Sequence, residues 1–150
     1  MDIAEEGLEK KLACVLYQCP PSFIYSDEKL DDIVSSLDNG YNNVIEFRHA
    51  SWWNDKVYKT FKKNKLIFCS ASFPNLPDDN IVTGKIFYKR MHGVPKIFQS
   101  FYAEEELTRL AKEMPEAKKQ FVYFNNTTYE AGYTNALQLK NFFTTELHRV

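Results

Sequence analysis

Ile86-Phe87-Tyr88-Lys89-Arg90-Met91-His92-Gly93 begins as an apolar β-run and closes on a guanidinium, an imidazole and a glycine. Val44-Ile45-Glu46-Phe47-Arg48-His49 has the same form, and so does Phe121-Val122-Tyr123-Phe124-Asn125-Asn126-Thr127. A helical pattern lies downstream of each. Repeated β-then-α units imply a parallel sheet. Such sheets bind their ligands outside the carboxyl ends of the strands, so the polar endings mark where chemistry is to be sought.

Reading outward from these runs adds the remaining elements. Leu12 to Tyr17 reads as a first strand, stopped by Pro20-Pro21. Ser26 is placed to cap a helix, with Asp27 and Glu28 favourable in its first turn. Leu30, Ile33, Val34 and Leu37 then repeat at helical spacing, and Asn39-Gly40 ends the run. Val44 to Arg48 is the second strand. A helix is expected from about Asn54 to Asn64, then a strand from Leu66 to Cys69. Pro74 to Pro77 reads as a loop without a full helix. After the strand from Ile86 to Met91 comes a helix opened by Glu104-Glu105-Glu106 and ended by Pro115. The last strand is Phe121 to Phe124, and the last helix runs from about Tyr133 to Leu147. A short amphipathic segment, Ile3 to Lys10, precedes them all. The expectation is an α/β fold of five β/α units in one domain, residues 1–150, with strands apolar enough to be covered on both faces.

Nineteen basic and 20 acidic residues leave a formal net charge of −1, which gives no global attraction to nucleic acid or anionic membrane. The N-terminus is acidic and unlike a secretory signal. No apolar run approaches the roughly 18 residues of a membrane-spanning helix. Cys14, Cys19 and Cys69 are odd in number and lack CxxC spacing, so neither a disulfide framework nor a zinc knuckle is indicated. These features read as a cytoplasmic protein.

Side chains alternate along a strand, so Tyr88, Arg90 and His92 share one face, as do Glu46 and Arg48. A charge on the helix-covered face would be costly, which directs this set to the concave mouth. Only one of Asn125 and Asn126 can point inward with them. Two arginines against one glutamate favour an anionic ligand. Glu46 and His92 are the candidate acid and base, and Trp52, Trp53 and Tyr88 are candidates for an aromatic wall. No metal is expected, because Glu46 and His92 supply only two ligands and no HExxH spacing adds more. No glycine-rich phosphate loop or GxSxG elbow occurs. Each feature also has a structural reading. Glu46 with Arg48 or Arg90 can be a buried ion pair. His92-Gly93 can be a turn that needs glycine. Asn125-Asn126-Thr127 can cap a loop, and Trp52-Trp53 can be core.

Four motifs carry a resemblance. They are Leu16-Tyr17-Gln18-Cys19-Pro20-Pro21-Ser22-Phe23, Glu46-Phe47-Arg48-His49-Ala50-Ser51-Trp52, Tyr88-Lys89-Arg90-Met91-His92-Gly93, and Tyr123-Phe124-Asn125-Asn126-Thr127 with Asn135-Ala136. In order and spacing the chain resembles the DUF72 (YecE-like) family, a family without an assigned molecular function. The resemblance implies the C-terminal part of a TIM barrel, entered at about the fourth strand, and so an incomplete barrel. It implies a strand-end pocket for a small polar or anionic ligand. Glu46 and His92 are the catalytic candidates there, and Arg48, Arg90, Asn125, Asn126, Tyr88, Gln18 and Trp52 the ligand-binding ones, without a cofactor. The chain departs from the family pattern at Ser70-Ala71-Ser72-Phe73-Pro74, where relatives often carry an acidic residue and Ser72 stands here. Two rival functions fit the same pattern, a nucleic-acid backbone binder of endonuclease-like type and a non-catalytic interaction partner. With only five strands, the chain is expected to self-associate or to take a partner that supplies strands.

Overall fold

The computed structural model describes residues 6–8 and 11–147, so most of the amphipathic segment Ile3 to Lys10 lies outside the described residues. Five strands, β1 (Val15–Gln18), β2 (Asn43–Glu46), β3 (Ile67–Ser72), β4 (Ile86–Met91) and β5 (Lys119–Phe124), form one parallel sheet. Their spatial order follows the chain, β1-β2-β3-β4-β5. That sequential order, with a helix after every strand but β3, is the arrangement of a barrel arc. The sheet does not close among the described residues, and β1 and β5 are its two edges.

Helix α1 (Asp27–Ser36) starts where Ser26 accepts a hydrogen bond from the Lys29 amide, and α2 (Asp55–Asn64) starts where Asn54 accepts from that of Val57. Both pack on the outer face, where Leu30, Val57 and Phe61 meet Ile45, Phe47 and Phe68. Helices α3 (Glu104–Glu113) and α4 (Ala131–Leu147) cover the other half of that face. There Leu107, Leu110 and Leu139 pack with Met91, Val122 and Phe124. The opposite, concave face holds Val44, Ile67, Cys69, Ile86 and Tyr88, with Leu16 and Phe121 against them. Alternation along the strands thus divides each apolar run between two cores.

Two local features differ from the sequence expectation. The third strand extends through Ser70, Ala71 and Ser72, all buried, beyond its expected end at Cys69. As expected, no helix follows it. An irregular segment, residues 73–85, covers the outer face instead and is fastened by polar side chains. Thr83 Oγ1 donates to Leu66 O and accepts from Phe68 N, and Ser70 Oγ accepts from Ile81 N at 2.8 Å. Lys89 points outward into this layer at 2% exposure, and its ammonium donates to Asp78 Oδ1 and Asn80 Oδ1 at 2.8 and 2.7 Å. A charge on the covered face is therefore present, and it is tolerated because the segment brings its partners to it.

Candidate functional site

The sheet ladder continues past the strand ends and fixes the residues that follow. Cys19 N donates to Glu46 O, His92 N to Ser72 O, and Asn125 N to Met91 O, at 2.9, 3.0 and 2.7 Å. Gly93 then turns the chain at φ +90°, where an added Cβ would lie 3.0 Å from Lys96 O. No residue with a side chain fits that turn without strain. These constraints hold Glu46, Arg48, Arg90, His92, Asn125 and Gln18 at one end of the sheet.

Glu46 is the centre of the cluster, with its side chain fully buried. Its Oε1 accepts from Arg48 Nη2 at 2.9 Å and from His92 Nε2 at 2.8 Å. Its Oε2 pairs with Arg90 Nη1. Arg90 also donates from Nε to Asn125 Oδ1 at 3.0 Å and from Nη1 to Gln18 Oε1 at 3.2 Å. Strands β1, β2, β4 and β5 are thereby joined through polar side chains at their carboxyl ends. Phe73, just past β3, completes the circuit: the Arg48 guanidinium lies over its ring at 4.3 Å.

Burial opposes ionisation of Glu46, but the His92 hydrogen bond and the Arg48 and Arg90 charges outweigh it and hold its carboxyl below the ordinary value. An ionised carboxylate only accepts, so His92 Nε2 carries a hydrogen. Arg48 Nη2, 3.3 Å from that nitrogen, then meets a donor, and the two groups share Oε1 rather than bond to each other. One carboxylate against two guanidiniums leaves net positive charge. Two buried polar atoms of the cluster residues, Arg48 Nε and His92 Nδ1, have no hydrogen-bond partner. The cluster opens toward Arg90, whose side chain is 16% exposed against 7% for Arg48. Burial pushes the Cys69 thiol well up and the Cys19 thiol up, so neither is a poised thiolate.

Three sequence candidates lie elsewhere. Trp52 is fully buried on the outer face, stacked on Phe47 at 4.0 Å and Phe23 at 5.3 Å, with its indole N–H on Phe23 O. It follows β2 on a 3₁₀ turn, Ala50–Trp52, capped by His49, and this turn carries the ring into the core under α1 and α2. Asn126 is buried and donates to Ser100 O and Asn135 Oδ1, tying the loops after β4 and β5 to α4. Asn125 is the member of the pair that faces the cluster. Tyr88 lies on the correct face but one pleat deeper, against Tyr123 at 5.1 Å, and burial and Tyr123 raise its phenol pKa. Two contacting residues were not singled out from sequence, Phe73 and Phe98; both rings touch His92, at 5.5 and 6.3 Å. An aromatic residue just past an inward strand end was the available signal for Phe73. Among the described residues, no group of three His, Cys, Asp or Glu side chains is placed to hold a metal ion, and no helix is long and apolar enough to cross a membrane.

A parallel β/α arc with a buried carboxylate–guanidinium–imidazole cluster at its strand ends defines the class. The chain belongs to the DUF72 family, whose model, described as a protein of unknown function, matches residues 3–150. Among solved structures, it is similar to a DUF72 family protein from Thermotoga maritima at 28% identity and a TM-score of 0.85, covering 95% of this chain and 64% of that one. It is also similar in fold to a DUF72 family protein from Enterococcus faecalis at 24% identity and a TM-score of 0.80, covering 95% of this chain and 65% of that one. The chain thus spans a little less than two thirds of these relatives. No curated protein matches it in sequence.

Proposed function

We propose that the strand-end cluster binds a small anionic ligand, and that His92 is the group placed to move a proton on it. One observation carries this reading: Arg48 Nε and His92 Nδ1, on the two residues that bond Glu46 Oε1, are both buried without a partner. A buried polar atom left unpaired costs about 1–3 kcal/mol, and an anion's oxygen arriving at the guanidinium removes that cost for Arg48. The net positive charge and the part-exposed Arg90 support an anion over a cation. Glu46, ionised and held by three groups, serves as the fixed counter-ion that aligns both arginines, and it is a poor proton donor for the same reason. The near-neutral formal charge of −1 favours a small ligand over a nucleic-acid backbone.

The test is isothermal titration of inorganic phosphate into the wild-type chain and into Arg90→Lys. Binding weakened about tenfold in the variant is expected, because lysine cannot reproduce the planar fork. Equal affinity in the two proteins, or no binding by wild type at millimolar phosphate, contradicts the proposal.

A further inference from the structure

We infer that the ligand is an aryl-bearing phosphate monoester, its phosphate on the two arginines and its flat ring laid on Phe98. This rests on the anion-binding reading above and adds the substrate class to it.

Phe98 lies in the loop between β4 and α3, five residues beyond the turn at Gly93. Its φ is +63°. Any residue with a Cβ is disfavoured in that region, and a bulky ring gains nothing there that glycine or asparagine would not supply more easily. The conformation is nevertheless held from both sides. Phe98 N donates to His92 O at 2.6 Å, and Phe98 O accepts from Thr128 N at 3.0 Å. The result is a ring set against the His92 imidazole at 6.3 Å and still 48% exposed. A ring kept only to cover His92 would be expected to bury itself. One that stays half in solvent, at a strained position, beside a positively charged cluster, offers an apolar face to something that arrives from solution. Among the described aromatic contacts, Phe98 touches no ring but that of His92. Tyr123, another exposed ring, already packs on Tyr88 and Phe121.

The donor set selects the anion. Arg48 Nε lacks a partner, and the described hydrogen bonds of Arg90 use only Nε and Nη1. Donors on two separate guanidiniums suit the several oxygens of a tetrahedral phosphate better than the two in-plane oxygens of a carboxylate. The excess positive charge suits a dianion. A monoester leaves one phosphate oxygen to carry the organic group, and Phe98, half-exposed against His92, is the ring placed to meet it.

The experiment compares methyl phosphate with phenyl phosphate by titration calorimetry, on wild type and on Phe98→Leu, which keeps apolar bulk and removes the flat face. Phenyl phosphate should bind wild type about tenfold tighter than methyl phosphate. Phe98→Leu should keep the methyl phosphate affinity and lose most of that advantage. On wild type, phenyl phosphate but not methyl phosphate should also shift the Phe98 ring proton resonances, a readout that needs no variant. Equal affinity of wild type for both esters, an advantage that survives in Phe98→Leu, or unmoved Phe98 resonances overturns the inference and leaves anion binding standing. If neither ester binds, the anion-binding reading falls and takes this one with it.

Discussion

Replacing Glu46 with glutamine removes one charge and almost no volume, at the point where Arg48, Arg90 and His92 meet. The carboxylate is fully buried and the two guanidiniums nearly so, at 7% and 16% exposure. In Glu46→Gln two cations would face each other across a neutral amide with little water to screen them. Breaking a buried pair from one side costs about 3–5 kcal/mol. That is a large share of the roughly 5–15 kcal/mol that holds a typical domain together. For a chain of this size, the loss corresponds to a fall in melting temperature of about 6–20 °C. Urea unfolding followed by the fluorescence of the buried Trp52 measures it. Phosphate should restore part of the loss, since an added anion replaces the missing counter-charge, and should raise the melting temperature of the variant more than that of wild type. A loss below about 1 kcal/mol, the range of an exposed ion pair, would refute the reasoning, because it would mean that the arginines reach solvent when Glu46 is neutral.

Three further expectations come from the same structure. The ordinary glutamate value is 4.5 and Glu46 lies below it, so its stabilising contribution is fully present above about pH 4.5 and is lost as the pH falls through the lowered folded value. Urea midpoints of wild type and Glu46→Gln should accordingly converge on acidification below pH 4.5, and a constant gap down to pH 3 would contradict this assignment. Asp78→Ala leaves the buried Lys89 ammonium short of a partner and should cost about 1–3 kcal/mol, whereas Lys89→Met removes the charge itself and should cost less; chemical denaturation giving the reverse order sinks the account of the outer layer. The edge strands β1 and β5 each pair on one side only among the described residues. Light scattering at micromolar concentration should therefore find association, and a monodisperse, cooperatively melting monomer would show that the edges are self-sufficient.

The convergence of Glu46, Arg48, Arg90, His92 and one asparagine follows from two-residue periodicity and the rule that covered faces reject charge. Both act within a single strand, and for that reason the sequence shows them. Gln18 came from the resemblance alone, since the first strand was read as ending at Tyr17; the structure extends β1 to Gln18, beside Glu46 in the register. Trp52 was not legible because a 3₁₀ turn has no apolar period to show which way its third residue points. Ser70 and Ser72 resemble a loop in composition, yet they are strand, because Ile81 and the Tyr102 hydroxyl satisfy their side chains from distant parts of the chain. Lys89 escaped notice for the same reason: its partners Asp78 and Asn80 come from an irregular segment whose path no local pattern specifies. Asn126 differs from Asn125 only by alternation, and its role depends on Asn135 in α4. What sequence pattern misses here is long-range polar satisfaction.

If the strand-end cluster is one anion-binding unit, a crystal structure of the chain grown with phosphate will show it. A phosphate is expected within hydrogen-bond distance of both Arg48 and Arg90, with Arg48 Nε among its donors and the Glu46 pairs kept. A phosphate bound only at other places, or Arg48 and Arg90 turned away from each other with Glu46 unpaired, would contradict it.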